Sequence, residues 1–132
     1  MAGKQKLIRF EQMKSFPNVV EPSLEEILVE EQSGKFKDHP LKGKWHANFF
    51  KNDKPLVLEL GCGKGEYAVG MGRRFPEKNF LGVDIKGARM WNGASIALNE
   101  GLTNVGFLRT RIDFITSFFS LGEVDEIWIT FP

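Results

Sequence analysis

The feature that most constrains this chain is a short apolar run that breaks into closely spaced glycines. Leu56-Val57-Leu58 leads straight into Glu59-Leu60-Gly61-Cys62-Gly63-Lys64-Gly65, and Asp84 follows 19 residues beyond Gly65. A strand that ends in glycines and then enters a helix lets main chain approach a ligand at the helix N-terminus, where free N–H groups point outward. An acid closing the next strand, at an offset of roughly 20 residues, then accepts from ribose hydroxyls. A lone glycine repeat says little, but here the spacing is GxGxG and Glu59 stands two residues ahead of it. Phosphate-bearing cofactors call for other devices, and Lys64 is followed by Gly65 rather than by the Ser or Thr of a P-loop. S-adenosylmethionine carries no phosphate. Its amino-acid end is zwitterionic and its sulfonium positive, so an acid at the loop entrance suits it. The pattern therefore points to S-adenosylmethionine, bound by Glu59, Gly61, Gly63, Gly65 and Asp84. The segment Arg109-Thr110-Arg111-Ile112-Asp113, after the third strand, would flank the adenine. Plainer roles exist beside these: Glu59 could fix the loop, and Asp84 could cap the helix that follows it.

From Pro55 onward strand and helix alternate. Leu56–Leu60 is continuously apolar apart from Glu59, as a strand covered on both faces should be. Tyr67, Ala68, Met71 and Phe75 recur at helical spacing before Pro76. Phe80–Val83 reads as the second strand, and Met90, Trp91, Ala94, Ala97 and Leu98 form the next helical stripe, with Met90 and Trp91 assigned to the core. Val105–Leu108 is the third strand, 112–119 a short helix and 124–131 the fourth strand. Helical crossovers of this length join parallel strands with right-handed connections. The expected fold is α/β, a Rossmann-like, doubly wound parallel sheet that breaks off after its fourth strand. Ile127–Phe131 is then an apolar edge without a neighbour on one side, and self-association through it is expected.

With 132 residues, 42% of them hydrophobic, the chain has material for one core. The single cysteine, Cys62, excludes a disulfide framework and reads as a small buried residue beside the loop; no metal site is expected. No stretch has the length of a membrane span or a leader's apolar segment, which places the protein in the cytoplasm. A net charge of +1 conceals blocks in residues 1–54, the extension that precedes the cofactor-binding half, residues 55–132. Lys4, Lys6, Arg9 and Lys14 outweigh Glu11; Glu21, Glu25, Glu26, Glu30 and Glu31 follow; then Lys35, Lys37, Lys42, Lys44 and Lys51 outweigh Asp38. The acidic block reads as a helix, with Ser23 and Glu26 as a capping box, Leu24, Ile27 and Leu28 as its stripe and Gly34 as its stop. The basic blocks read as irregular.

Three motifs in order, Glu59–Gly65, Phe80-Leu-Gly-Val-Asp-Ile-Lys86 and the closing Ile129-Thr-Phe-Pro132, resemble the bacterial tRNA (guanine-N7)-methyltransferase family. The closing Phe-Pro is similar to the start of that family's Phe-Pro-Asp-Pro signature. The Lys6-Leu-Ile-Arg-Phe10 stretch and the Trp45–Phe50 approach also look like it. The resemblance implies a class I methyltransferase that uses S-adenosylmethionine to methylate guanosine N7 in the tRNA variable loop. It also makes the basic residues Lys4, Lys6, Arg9, Lys14, Lys35, Lys37, Lys42 and Lys44 candidates for the tRNA backbone. Two departures stand out. The family usually has Asp or Asn where this chain has Arg111, so Thr110, Ile112 or Asp113 would serve the adenine in its place. The catalytic Asp expected after Pro132 lies outside the sequence, so the chain carries the cofactor half of the site and is expected to transfer no methyl group alone. Two other readings use the same residues: a class I methyltransferase for a small molecule or a protein, and an inactive cofactor-binding fragment.

Overall fold

The computed structural model describes residues 2–26 and 36–129. Its centre is a five-stranded, all-parallel sheet. In chain order the strands are β1 (Val19–Val20), β2 (Leu56–Leu60), β3 (Asn79–Asp84), β4 (Val105–Arg109) and β5 (Glu126–Ile129). Across the sheet they run β1-β4-β3-β2-β5. Helix α1 spans Ala2–Met13, α2 spans Glu66–Arg74 and connects β2 to β3, and α3 spans Gly87–Asn99 and connects β3 to β4. This is the doubly wound order expected of the sequence, with one strand added at the far edge.

The alternation of side chains along the strands fills two cores. Val57, Phe80, Val105 and Phe107 face the helices and pack with Val69, Met90, Ala94 and Ala97. Leu56, Leu58, Leu81, Val83 and Leu108 face the other way, against Trp45, Phe50, Phe114 and Phe118. Apolar residues at every strand position therefore reflect cover on both faces. Glu66 in the first turn of α2 and Arg73 and Arg74 in its last complement the helix dipole. Phe107 is fully buried beneath α3, and a Cβ placed on Gly65, Gly82 or Gly93 would come within 3 Å of its ring. Those three glycines let the loop and α3 close over the sheet.

Residues 2–26 differ most from the sequence expectation. The first basic block is a helix, α1, not irregular chain. It lacks a helical apolar stripe because Leu7 and Ile8 face solvent. Its buried anchor is Met13, 1% exposed, aided by contacts to Trp91 of α3. The Trp91 indole N–H donates to Gln12 Oε1 at 2.8 Å, and the Arg9 guanidinium lies 4.7 Å from the indole ring centre. Trp91 is therefore half-buried under α1, whereas Met90 is fully buried. Val19 and Val20 pair with Phe107 and Leu108, a strand too short to register as a period. The capping box is half formed: Ser23 N–H donates to Glu26 Oε1 at 3.2 Å, but only Leu24–Glu26 winds, as one 3₁₀ turn. Ile27, Leu28, Glu30, Glu31, Gly34 and Lys35 lie outside the described residues.

Trp45–Phe50 forms a π-helical turn against the second core. Its Trp45 indole donates to the Phe118 carbonyl at 2.7 Å, and the buried Glu123 carboxylate accepts from the Gly43, Trp45 and Ser120 N–H groups. Residues 112–119, expected as a helix, wind as a 3₁₀ segment, Ile112–Ser117. All four residues of β5 are exposed, and its described pairing is to β2. No helix among the described residues is long and apolar enough to cross a membrane.

Candidate functional site

The carboxyl ends of β2, β3 and β4 are tied together by main chain. Gly61 and Cys62 N–H groups donate to the Val83 carbonyl at 2.8 and 3.1 Å, and Thr110 N–H donates to the Asp84 carbonyl at 3.0 Å. Gly61, Gly63 and Gly65 all have positive φ, of 77°, 54° and 78°. A side chain is strained in that region. At Gly65 space forbids one as well, since its Cβ would lie 2.6 Å from Phe107 Cε1.

Asp84 organises the loop that faces it. Its Oδ2 accepts from Gly63 N–H at 2.8 Å, and its Oδ1 accepts from Ile85 and Lys86 N–H groups at 2.7 and 3.1 Å. This carboxylate braces the glycine loop and the turn into α3, and three of its about four acceptor positions are filled. Cys62 is buried behind the loop. Burial, reinforced by the negative charges of Glu59 and Asp84, pushes its thiol pKa far up. It is a neutral packing group and no nucleophile.

Two clefts open at this edge of the sheet, and the Asp84–Ile85 turn separates them. The first, about 520 Å³, is lined by Glu59, Gly61, Gly63 and Asp84 from the sequence prediction. Its other walls are Lys64, Lys86 and Arg89 together with Glu66 and Tyr67. The second, about 580 Å³, is lined by Thr110 and Arg111 with Ile85, Arg109 and Phe114, and is closed by Lys14 and the Glu21–Leu24 segment. Gly65 lies beneath the first cleft as a packing residue. Ile112 is 46% exposed and lines neither cleft. Arg111 turns away to pair with Asp113 at 2.7 Å and to lie over the Phe114 ring. Thr110 is buried, its hydroxyl donating to the Arg111 carbonyl at 3.2 Å.

Several lining residues escaped the sequence reading. Tyr67 carried the helical stripe, yet it is 44% exposed, lines the first cleft and meets the Trp128 ring at 5.8 Å. Lys64 stands within the first motif and Arg89 three residues past the end of the second, and their position beside the glycines and shortly after Asp84 was the available signal. The first cleft thus joins three carboxylates to three cations. That donor set fits a zwitterion with an additional positive centre better than a polyphosphate.

A parallel sheet wound in this order, with a glycine-loop cleft at its carboxyl edge and an acid on the neighbouring strand, has the class I methyltransferase fold. It aligns with the crystal structure of a 30S ribosomal A1408 methyltransferase from an uncultured bacterium, with a TM-score of 0.58 over 80% of this chain and 49% of that one, at 18% identity. The chain belongs to the family described as "Putative methyltransferase", whose sequence profile matches residues 53–132. Over all 132 residues it is 57% identical to a tRNA (guanine-N(7)-)-methyltransferase of Christiangramia forsetii, covering 56% of that protein. It is 58% identical over 120 residues, 91% of this chain, to the Porphyromonas gingivalis protein of the same name, covering 47% of it. A Bacteroides fragilis protein of that name is 56% identical and is covered to 48%. The resemblance carried by the three motifs is borne out, and the chain spans about half the length of the curated relatives it matches.

Proposed function

We propose that this chain carries the S-adenosylmethionine-binding part of an enzyme that methylates guanosine N7 in tRNA. The observation that carries the reading is the first cleft, in which acid, glycine loop and second acid line one wall, in a chain whose relatives bear that enzyme's name over its whole length. S-adenosylmethionine supplies a methyl group on a positively charged sulfur. The remaining acceptor position of Asp84 receives a ribose hydroxyl. Glu59 and Glu66 face the positive end, and Lys64, Lys86 and Arg89 serve the carboxylate. Ile85, Thr110 and Arg111 line the second cleft, which would take the adenine; Ile112 lies outside it. Guanine N7 presents a lone pair and needs no deprotonation, so the protein has to align the partners and exclude water rather than supply a base. In this reading residues 55–132 are the cofactor-binding half, and residues 1–54 close the second cleft and carry basic side chains. The site of action is where tRNA is, in the cytoplasm. The exposed apolar edge of β5 is a surface for a further strand, and self-association follows where none covers it.

Two measurements test the reading. Calorimetric titration of the chain with S-adenosylhomocysteine should show one site. Total tRNA from cells lacking the gene, digested and analysed by mass spectrometry, should lose 7-methylguanosine. An unchanged level would overturn the proposed activity.

A further inference from the structure

A third cavity, about 310 Å³, lies between α1, the glycine loop and the first turn of α3. Four cations line it, Lys6 and Arg9 from α1, Lys64 from the loop and Arg89 from α3, and the remaining polar walls are the amides Gln5 and Asn92. No acidic residue lines it. Among the described residues none of these four cations forms an ion pair, in contrast to Lys14 with Glu11 at 3.0 Å and Lys42 with Asp38 at 2.9 Å. Asp84 faces the neighbouring cleft, bonded to three main-chain N–H groups. Arg9 is held in place by its stack on Trp91, which Gln12 orients in turn.

Gathering four cations around one small cavity raises the energy of the fold through mutual repulsion, which an anion would relieve. The positive end of α3 adds to the same field. Lys64 and Arg89 also line the first cleft, so this cavity opens beside the place where the methyl donor would sit. Lys6 and Arg9 do not line that cleft, which separates the cavity's anion from the cofactor's own carboxylate. Two pairs of cations on opposite walls suit a group with several equivalent charged oxygens. Amides beside them add donors without cancelling the charge.

We propose that this cavity holds a backbone phosphate of the RNA substrate and so seats the nucleic acid next to the cofactor cleft. The proposal deepens the proposed function and rests on it for the nature of the polyanion. It narrows the basic N-terminal residues to Lys6 and Arg9, and adds Lys64 and Arg89, which belong to no basic block of the sequence.

The test compares the full chain with Lys6→Gln and with Lys6→Gln/Arg9→Gln, binding unmodified tRNA at several salt concentrations. Each phosphate contact contributes about 0.7–0.9 to the slope of log affinity against log salt. The double variant, having lost one phosphate contact, should lose about 0.7–0.9 from that slope, with binding at 0.15 M salt about fivefold weaker. Its affinity for S-adenosylhomocysteine should stay the same. Arg9→Lys should keep the wild-type slope, and Arg73→Gln, which removes a cation paired with Glu100, should leave it unchanged. A double variant with an unaltered slope would overturn the proposal, as would an equal loss of cofactor affinity, which would place both residues in the cofactor site. Binding of inorganic phosphate by the wild type with no change in the tRNA slope would also overturn it. A lowered slope together with an unchanged 7-methylguanosine level in cells lacking the gene would support the phosphate site while overturning the proposed activity.

Discussion

The two clefts that meet at the Asp84–Ile85 turn are similar in size, about 520 and 580 Å³, yet they are assembled in opposite ways. The first uses two short stretches of chain, 59–67 and 84–89, each continuous with a strand end. Its shape is set by main-chain bonds and by three positive-φ glycines. The second brings Lys14 and Glu21–Leu24 against Arg109–Arg111 and Phe114, across some ninety residues of sequence. It depends on side chains, among them Arg109 Nη1 to Glu21 Oε2 at 3.4 Å, and just outside it His39 Nε2 pairs with Glu26 Oε2 at 2.9 Å. A site made of backbone and local sequence is rigid and announces itself as a motif. A site closed by a distant segment is adjustable and carries no motif.

The sharpest way to break the first cleft is through Gly65. Gly65→Ala forces a Cβ into the Phe107 ring and a side chain into a positive-φ position, at a cost of about 2–4 kcal/mol. Urea unfolding should show that loss together with loss of cofactor binding. A variant as stable as the wild type would mean that α3 moves freely from the loop.

Asp84→Ala comes next. Losing a carboxylate that accepts from a ligand hydroxyl costs about 1.5–3 kcal/mol, so S-adenosylhomocysteine should bind roughly 10- to 100-fold more weakly by calorimetry. Equal affinity would remove Asp84 from the site and leave it only its bonds to Gly63, Ile85 and Lys86.

Acid should act through His39, which holds the turn ending at Glu26, beside the second cleft. His39 is buried, its Nδ1 accepts from Leu41 N–H at 3.1 Å, and its Nε2 therefore carries the proton donated to Glu26. Burial lowers its pKa from the ordinary 6.5, and the pull of Glu26 in the opposite direction is the smaller effect. The unfolded chain then binds the proton more readily than the fold does. The contribution of this neutral ring is present above pH 6.5 and is lost as pH falls below it through the lowered folded-state pKa. Unfolding followed between pH 7.5 and pH 5, ranges chosen around that value, should show stability falling by about 1 kcal/mol, the scale of one hydrogen bond. His39→Gln should flatten the curve. A wild type without slope in that window would disconnect the pair from the fold.

Arg111 gives the smallest expected effect. Because its guanidinium pairs with Asp113 at the surface, Arg111→Ala should change cofactor affinity by less than about fivefold, as expected for an exposed pair worth at most about 1 kcal/mol. A tenfold loss would give Arg111, which lines the second cleft, a direct part in holding the cofactor.

How much of this was legible follows the same division. β2, α2, β3, α3 and β4 stood in the sequence because apolar runs, helical stripes and glycine breaks are local consequences of burial on a parallel sheet. Glu59, Gly61, Gly63 and Asp84 were legible because a strand end and the next strand end are neighbours in that fold by topology alone. α1 was not, since one buried methionine and a cation on an indole leave no periodic trace. The same holds for β1, two residues long, and for the turn at Trp45, whose place is fixed by Phe118 and Glu123. The sequence by itself determined the sheet, its winding and the wall of the first cleft, because short-range geometry and side-chain period suffice for these. Only the tertiary structure decided that residues 2–26 close the second cleft, that Ile112 lies outside it while Arg111 lines it, and that Lys6 and Arg9 meet Lys64 and Arg89. Those contacts join segments whose separation along the chain leaves no local pattern, and they exist only once both cores are packed.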